Sequence, residues 1–73
     1  MYEIYSTQWC VFCNHAKSLL TKNNLEYIEH DIELDDKAME FIVGNGFKTI
    51  PVIYKDGILV GGFDDLKTLV GEE

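Results

Sequence analysis

The chain contains two cysteines, Cys10 and Cys13, separated only by Val11 and Phe12. A thiol pair at this spacing can exchange with another disulfide, contribute to a metal site, or close on itself as a staple. The staple is a poor use of it. A bridge across so short a gap removes little unfolded-state entropy, because the stabilisation grows with loop length. Secreted disulfide scaffolds spread roughly four or more cysteines along the chain, and a reducing cytosol would not preserve the bridge. A structural zinc site fills a tetrahedral shell with protein ligands. The only additional histidines, His15 and His30, are poorly spaced for that, and no second Cys-x-x-Cys or His-x-x-x-His is present. A non-catalytic zinc or iron–sulfur module stands as an alternative. The spacing favours exchange chemistry.

Exchange needs a thiolate as the attacking group. A helix start offers free backbone N–H groups and the positive end of the helix dipole, both of which favour an anion. The surrounding pattern supplies such a start. Tyr2, Ile4 and Ser6 alternate with Glu3 and Tyr5, which predicts a strand. Thr7 and Gln8 form a short polar link. From about Val11 to Asn23 the period becomes helical, with Phe12, Ala16, Leu19 and Leu20 on one face. Cys10 thus falls where a strand passes into a helix, and Cys13 lies one turn further along. This reading assigns Cys10 as nucleophile and Cys13 as resolving thiol.

The remaining elements must hold that junction in place. Leu25–Asp31 reads as a second strand, and the acidic run Asp31–Asp36 as a solvated approach to a helix over about Asp35–Val43. Gly44-Asn45-Gly46 ends that helix. Pro51–Tyr54 and Ile58–Val60 read as a hairpin around Asp56-Gly57, a dipeptide that tolerates positive φ. Gly61-Gly62 breaks the last strand. A final helix from about Asp64 carries Phe63, Leu66, Leu69 and Val70 along one side. The order is β-α-β-α-β-β-α. A helical crossover makes the first two strands parallel, so this predicts an α/β fold with a four-stranded mixed sheet flanked by helices.

With 73 residues and 8.4 kDa there is room for a single domain spanning 1–73. The composition, 47% hydrophobic with one proline, is that of a folded chain. Thirteen acidic residues against six lysines give a net charge of −7. Such a field repels phosphate backbones and anionic lipid, which argues against nucleic-acid and membrane-surface roles. No apolar run approaches the roughly 20 residues of a membrane span. The N-terminal residues lack the pattern of a signal peptide, so a cytoplasmic location is expected.

Three separated segments add a family resemblance. They are Tyr-Ser-Thr-Gln-Trp-Cys-Val-Phe-Cys ending at Cys13, then Lys48-Thr49-Ile50-Pro51, then Gly61-Gly62-Phe63-Asp64-Asp65-Leu66. In this order, and over nearly the whole chain, they resemble the glutaredoxins. The resemblance implies a thioredoxin-like fold and a monomer. It implies an enzyme that reduces protein disulfides and glutathione mixed disulfides. Glutathione would be the reductant and co-substrate, no metal would be needed, and ribonucleotide reductase is a partner the family implies.

Site roles follow from the same resemblance. Pro51 matches the family's cis-proline beside the active cysteine. The backbone of Ile50 would pair with a substrate's extended chain, with Thr49 flanking it. Phe12 would wall the groove where many glutaredoxins carry tyrosine. Gly62 would let backbone approach closely. Phe63 and Asp64 match positions that hold the γ-glutamyl end of glutathione, and Lys48 is a candidate for its glycine carboxylate. Trp9 is read equally as core cover or substrate contact. Two departures bear on the electron source. Val11 replaces the family's usual proline, and Thr7 stands where a lysine is common. Cys-Val-x-Cys and Gly-Phe-Lys-Thr-Ile-Pro are also similar to NrdH-type redoxins, which thioredoxin reductase recycles.

Overall fold

A computed structural model describes residues 1–71. Its elements follow the expected order: β1 (Tyr2–Ser6), α1 (Val11–Lys22), β2 (Tyr27–Asp31), α2 (Asp36–Gly44), β3 (Val52–Lys55), β4 (Ile58–Gly61) and α3 (Phe63–Val70). The strands form one sheet in the order β2-β1-β3-β4. β1 and β2 run parallel, joined through α1, while β3 is antiparallel to both β1 and β4.

Period-two alternation along β1 sends Tyr2, Ile4 and Ser6 to one face of the sheet and Glu3 and Tyr5 to the other. On the first face Ile4, Leu20, Ile53 and Leu66 are wholly enclosed, and Tyr2, Ala16 and Leu19 complete a core beneath α1 and α3. The second face is aromatic. Tyr5 stacks on Phe41 of α2 at 4.8 Å and on His30 of β2 at 4.6 Å. Phe41 also meets the edge of Tyr54 at 5.7 Å. Helices therefore cover both faces, and the carboxyl end of central strand β1 opens directly toward Cys10.

Local chemistry sets the element ends. Asp35 caps α2 by accepting from the N–H groups of Lys37 and Ala38 at 3.0 and 3.3 Å. Asp56 and Gly57 have φ of 51° and 82°, the paired left-handed conformation of a tight hairpin turn. Three expectations are corrected. β2 starts at Tyr27 rather than Leu25, because the Leu25 N–H closes back on Leu20 O at 2.9 Å and its side chain packs on the core. α3 starts at Phe63, one residue early, with Gly62 as its N-cap. Phe12 does not share the core face of α1. It is 59% exposed, and Cys13 takes the inward position with Ala16, Leu19 and Leu20.

Candidate redox site

Cys10 is the N-cap residue of α1, with extended backbone at φ −80° and ψ 116°. Its carbonyl accepts from the Asn14 N–H at 3.0 Å, starting the helical ladder. Its Sγ accepts from the Cys13 N–H at 3.2 Å. A thiol thus fills the position where serine or aspartate commonly caps a helix. A donor aimed at that sulfur stabilises negative charge on it. On its other side the Cys10 thiol points to the carbonyl of Ile50, at 3.9 Å. Both cysteines are free thiols.

The two sulfurs differ in access. Cys10 retains 8% of its surface and Cys13 none. Burial, and then the hydrogen bond with Cys10, pushes the Cys13 thiol up to about 12. The Thr7 backbone N–H and the charge of Lys17 pull the other way without prevailing. At neutral pH Cys13 therefore holds its proton behind the more accessible sulfur. The hydroxyl of Thr7, 1% exposed, has no partner among the described residues.

A groove of about 320 Å³ collects most of the residues singled out from the sequence. Phe12, Thr49, Ile50, Pro51, Gly62, Phe63 and Asp64 all line it, together with Asp65. The Ile50–Pro51 peptide is cis. The β1–β3 ladder ends at Val52, opposite Tyr5, so Ile50, which lines the groove, lies beyond the last strand pair. Phe12 and Phe63 face each other at 6.2 Å, and the His15 ring packs on both. Lys48 is not in this groove. It lines a neighbouring depression with Thr7 and Trp9.

Several contributors escaped the sequence reading. The constrained glycine is Gly61, not Gly62. A Cβ on Gly62 would sit an ordinary 3.7 Å from Pro51 O, whereas one on Gly61 would lie 2.2 Å from Asp65 Oδ2. Gly61 also has φ of +124°. That conformation lets the Asp65 carboxylate reach back and accept from the Gly62 N–H at 3.1 Å, which sets the start of α3. The Gly61-Gly-x-x-Asp65 spacing carried this signal. The acidic run is more than a solvated approach. Gln8 donates to Asp31 at 3.1 Å and the Trp9 indole N–H donates to Glu33 at 3.0 Å, so the run anchors the loop before Cys10. Trp9 is 69% exposed, which removes it from the core. Among the described residues no three histidine, cysteine or carboxylate side chains are grouped to hold a metal ion.

The fold and the thiol pair define a class: a four-stranded thioredoxin-like sheet with a dithiol at the start of its first helix. Residues 2–60 match the glutaredoxin family model. A probable glutaredoxin of Synechocystis is 37% identical over 71 residues, covering 94% of this chain and 81% of the relative. The solution structure of a glutaredoxin from Brucella melitensis has a TM-score of 0.77 at 31% identity, covering 96% of this chain and 77% of that one. The NrdH-redoxin of Escherichia coli, described as a glutaredoxin-like protein with a thioredoxin-like activity profile, shares the fold with a TM-score of 0.81 at 23% identity, covering 93% and 92% of the two chains. The chain belongs to the glutaredoxin family, and with its Cys-x-x-Cys pair it is a thiol–disulfide oxidoreductase.

Proposed function

We propose that the protein is a glutathione-dependent dithiol reductant of protein disulfides and glutathione mixed disulfides. The observation that supports this reading is the approach of Cys10 Sγ to 3.9 Å from the carbonyl of the groove-lining Ile50, with Cys13 wholly enclosed. Cys10, as thiolate, attacks one sulfur of the substrate disulfide. The substrate S–S bond breaks, the departing thiolate takes a proton, and a Cys10 mixed disulfide forms. Cys13 then gives up its proton and attacks Cys10 Sγ, which releases the second substrate thiol and leaves a Cys10–Cys13 disulfide. Two glutathione molecules reduce that disulfide in turn and leave as oxidised glutathione. The tripeptide's cysteine backbone would pair with Ile50, its γ-glutamyl end would meet Phe63, Asp64 and the N–H groups at the start of α3, and Phe12 would wall its path. The protein would act as a cytoplasmic monomer, with ribonucleotide reductase among its protein partners.

One observation favours a second electron source. The groove has two carboxylates, Asp64 and Asp65, and no cation among its described lining residues. Glutathione is a net anion. Lys67 stands over the Phe63 ring at 5.4 Å and Lys48 lies in the adjoining depression, so both cations are one shell away. An NrdH-type donor recycled by thioredoxin reductase would not need a glutathione site. Paired assays decide between them. Turnover of a mixed disulfide with glutathione, glutathione reductase and NADPH is the expected result. Turnover only with thioredoxin reductase and NADPH would overturn it.

A further inference from the structure

Two depressions meet at Thr49 and Ile50. The groove toward α3 holds Phe63 and Asp64. The other, about 350 Å³, opens toward α2 on the opposite face of the sheet. That volume lies at the small end of the roughly 300–1,000 Å³ range of ligand pockets. Its walls include Trp9, Met39, Val43 and Phe47, with Glu33 and Lys48 as the charged members. Met39 and Val43 are four residues apart on α2 and therefore share a face. Trp9 and Val43 are 69% and 68% exposed, and Met39 is 39% exposed. The Trp9 indole is held by its 3.0 Å hydrogen bond to Glu33. This is an oriented apolar wall beginning one residue before Cys10.

We propose that this depression receives an apolar side chain of a polypeptide substrate, adjacent to the cysteine under attack. It is thereby the element that separates protein disulfides from glutathione mixed disulfides. The inference rests on the dithiol reading of Cys10 and Cys13. Continuity with the reacting sulfur identifies the occupant. Thr49 and Ile50 line both depressions, and the Cys10 thiol points to Ile50 O. A chain pairing with Ile50 places successive side chains on alternate sides. A residue next to its cysteine is then directed toward one depression or the other. Glutathione has no apolar side chain to fill the α2 wall. A leucine- or phenylalanine-sized side chain removes both itself and that wall from water.

The test compares two peptide disulfides that differ only in the residues flanking the cysteine, leucine or serine. Dithiothreitol is the reductant, so the natural electron source does not enter. The wild-type protein should show kcat/KM about tenfold higher for the leucine peptide, the discrimination an apolar pocket commonly provides. Val43→Gln combined with Met39→Gln should bring that ratio close to one while leaving turnover of a glutathione mixed disulfide unchanged. Both positions are exposed on α2, and a thermal melt checks that the helix persists. Exchange with no leucine preference in the wild type overturns this proposal alone. So does an equal loss on peptide and glutathione substrates in the double variant. Failure to exchange with any disulfide would overturn the dithiol reading itself.

Discussion

At the hairpin end of the sheet, the N-terminal ammonium of Met1 pairs with the Asp56 carboxylate, and the Asp56 N–H closes on Met1 O at 3.0 Å. Asp56 and Gly57 adopt the left-handed pair that the turn requires, and a side chain on Gly57 would meet open space. At the opposite end, where β1 gives way to α1, Gln8 and Trp9 are tied to Asp31 and Glu33, but other groups are left open. Thr7 keeps a buried hydroxyl without a partner among the described residues, the Cys10 thiol reaches Ile50 O only at 3.9 Å, and Trp9, Val11 and Phe12 stand exposed. Gly61 is both left-handed and crowded. One sheet thus carries a satisfied end and an unsatisfied end. Local rules are met where the sheet only has to turn. They are relaxed where a sulfur must be presented and another chain admitted.

The largest contrast is expected from the thiols. Cys10→Ser should reduce exchange to background with every substrate. Cys13→Ser should still turn over glutathione mixed disulfides, because a second glutathione can attack Cys10, while reduction of protein disulfides falls sharply. Rates measured on both substrates check this. Equal loss in the two variants on the glutathione substrate would break the division of labour between the sulfurs. The glycines give the next effect. Gly61→Ala meets Asp65 at 2.2 Å and strains the backbone, so it should cost about 2–3 kcal/mol. Gly57→Ala at the satisfied end has space and should cost only about 1 kcal/mol. Urea unfolding of both measures the difference, and equal costs would remove the contrast.

The Cys13 thiol and the Asp56 carboxyl should titrate on opposite limbs of the stability curve. Between its ordinary 9.0 and about 12, the folded protein keeps a proton on Cys13 that the unfolded chain releases. The unfolded state then binds fewer protons, so unfolding free energy falls as pH rises. That stability is complete below about pH 9 and is lost as pH climbs toward about 12. Tyr5, raised by burial and then by the charge of Glu3, adds to the same alkaline loss above its usual 10.0. Asp56 works in reverse. Its hydrogen bond and charge pairing with the N-terminus hold it below its usual 3.8, so its contribution is present above that value and lost as pH falls through its folded value. In urea titrations across pH, Cys13→Ala should lessen the alkaline loss and Asp56→Asn the acid loss, each without moving the other, while Tyr5 keeps part of the first and Asp31, held down by its hydrogen bond from Gln8, part of the second.

Most of this arrangement was legible in the residues because local period and turn chemistry agree with the packed result. The alternation of Tyr2, Ile4 and Ser6, the Asp56-Gly57 turn and the Gly44-Asn45-Gly46 stop each specify their element without tertiary help. Phe12 misled because an apolar residue at helical spacing normally turns inward, and here the groove leaves it exposed. Gly62 drew attention by adjacency, although φ at Gly61 and the reach of Asp65 carry the constraint, and both depend on three-dimensional closure. Glu33 looked like one charge in a solvated run. Its bond to Trp9 spans 24 positions, and no local pattern encodes it. Lys48 was assigned by motif position alone, and the backbone turns it into the adjoining depression.

Thr7 should give the smallest effect and the sharpest reading of the unsatisfied end. Its backbone N–H serves the Cys13 sulfur, and any residue but proline can supply that. Its hydroxyl is enclosed and unpaired among the described residues, a state that costs roughly 1–3 kcal/mol relative to a satisfied one. Replacing the hydroxyl by a methyl in Thr7→Val keeps the shape and removes the polar atom. Stability should therefore rise, by up to about 1 kcal/mol, with turnover of a glutathione mixed disulfide unchanged. Urea unfolding and a parallel rate measurement check both parts. A loss of stability would mean that the hydroxyl has a partner in the folded protein, and what distinguishes this end would then be the long approach of the Cys10 thiol to Ile50 O and its exposed apolar neighbours alone.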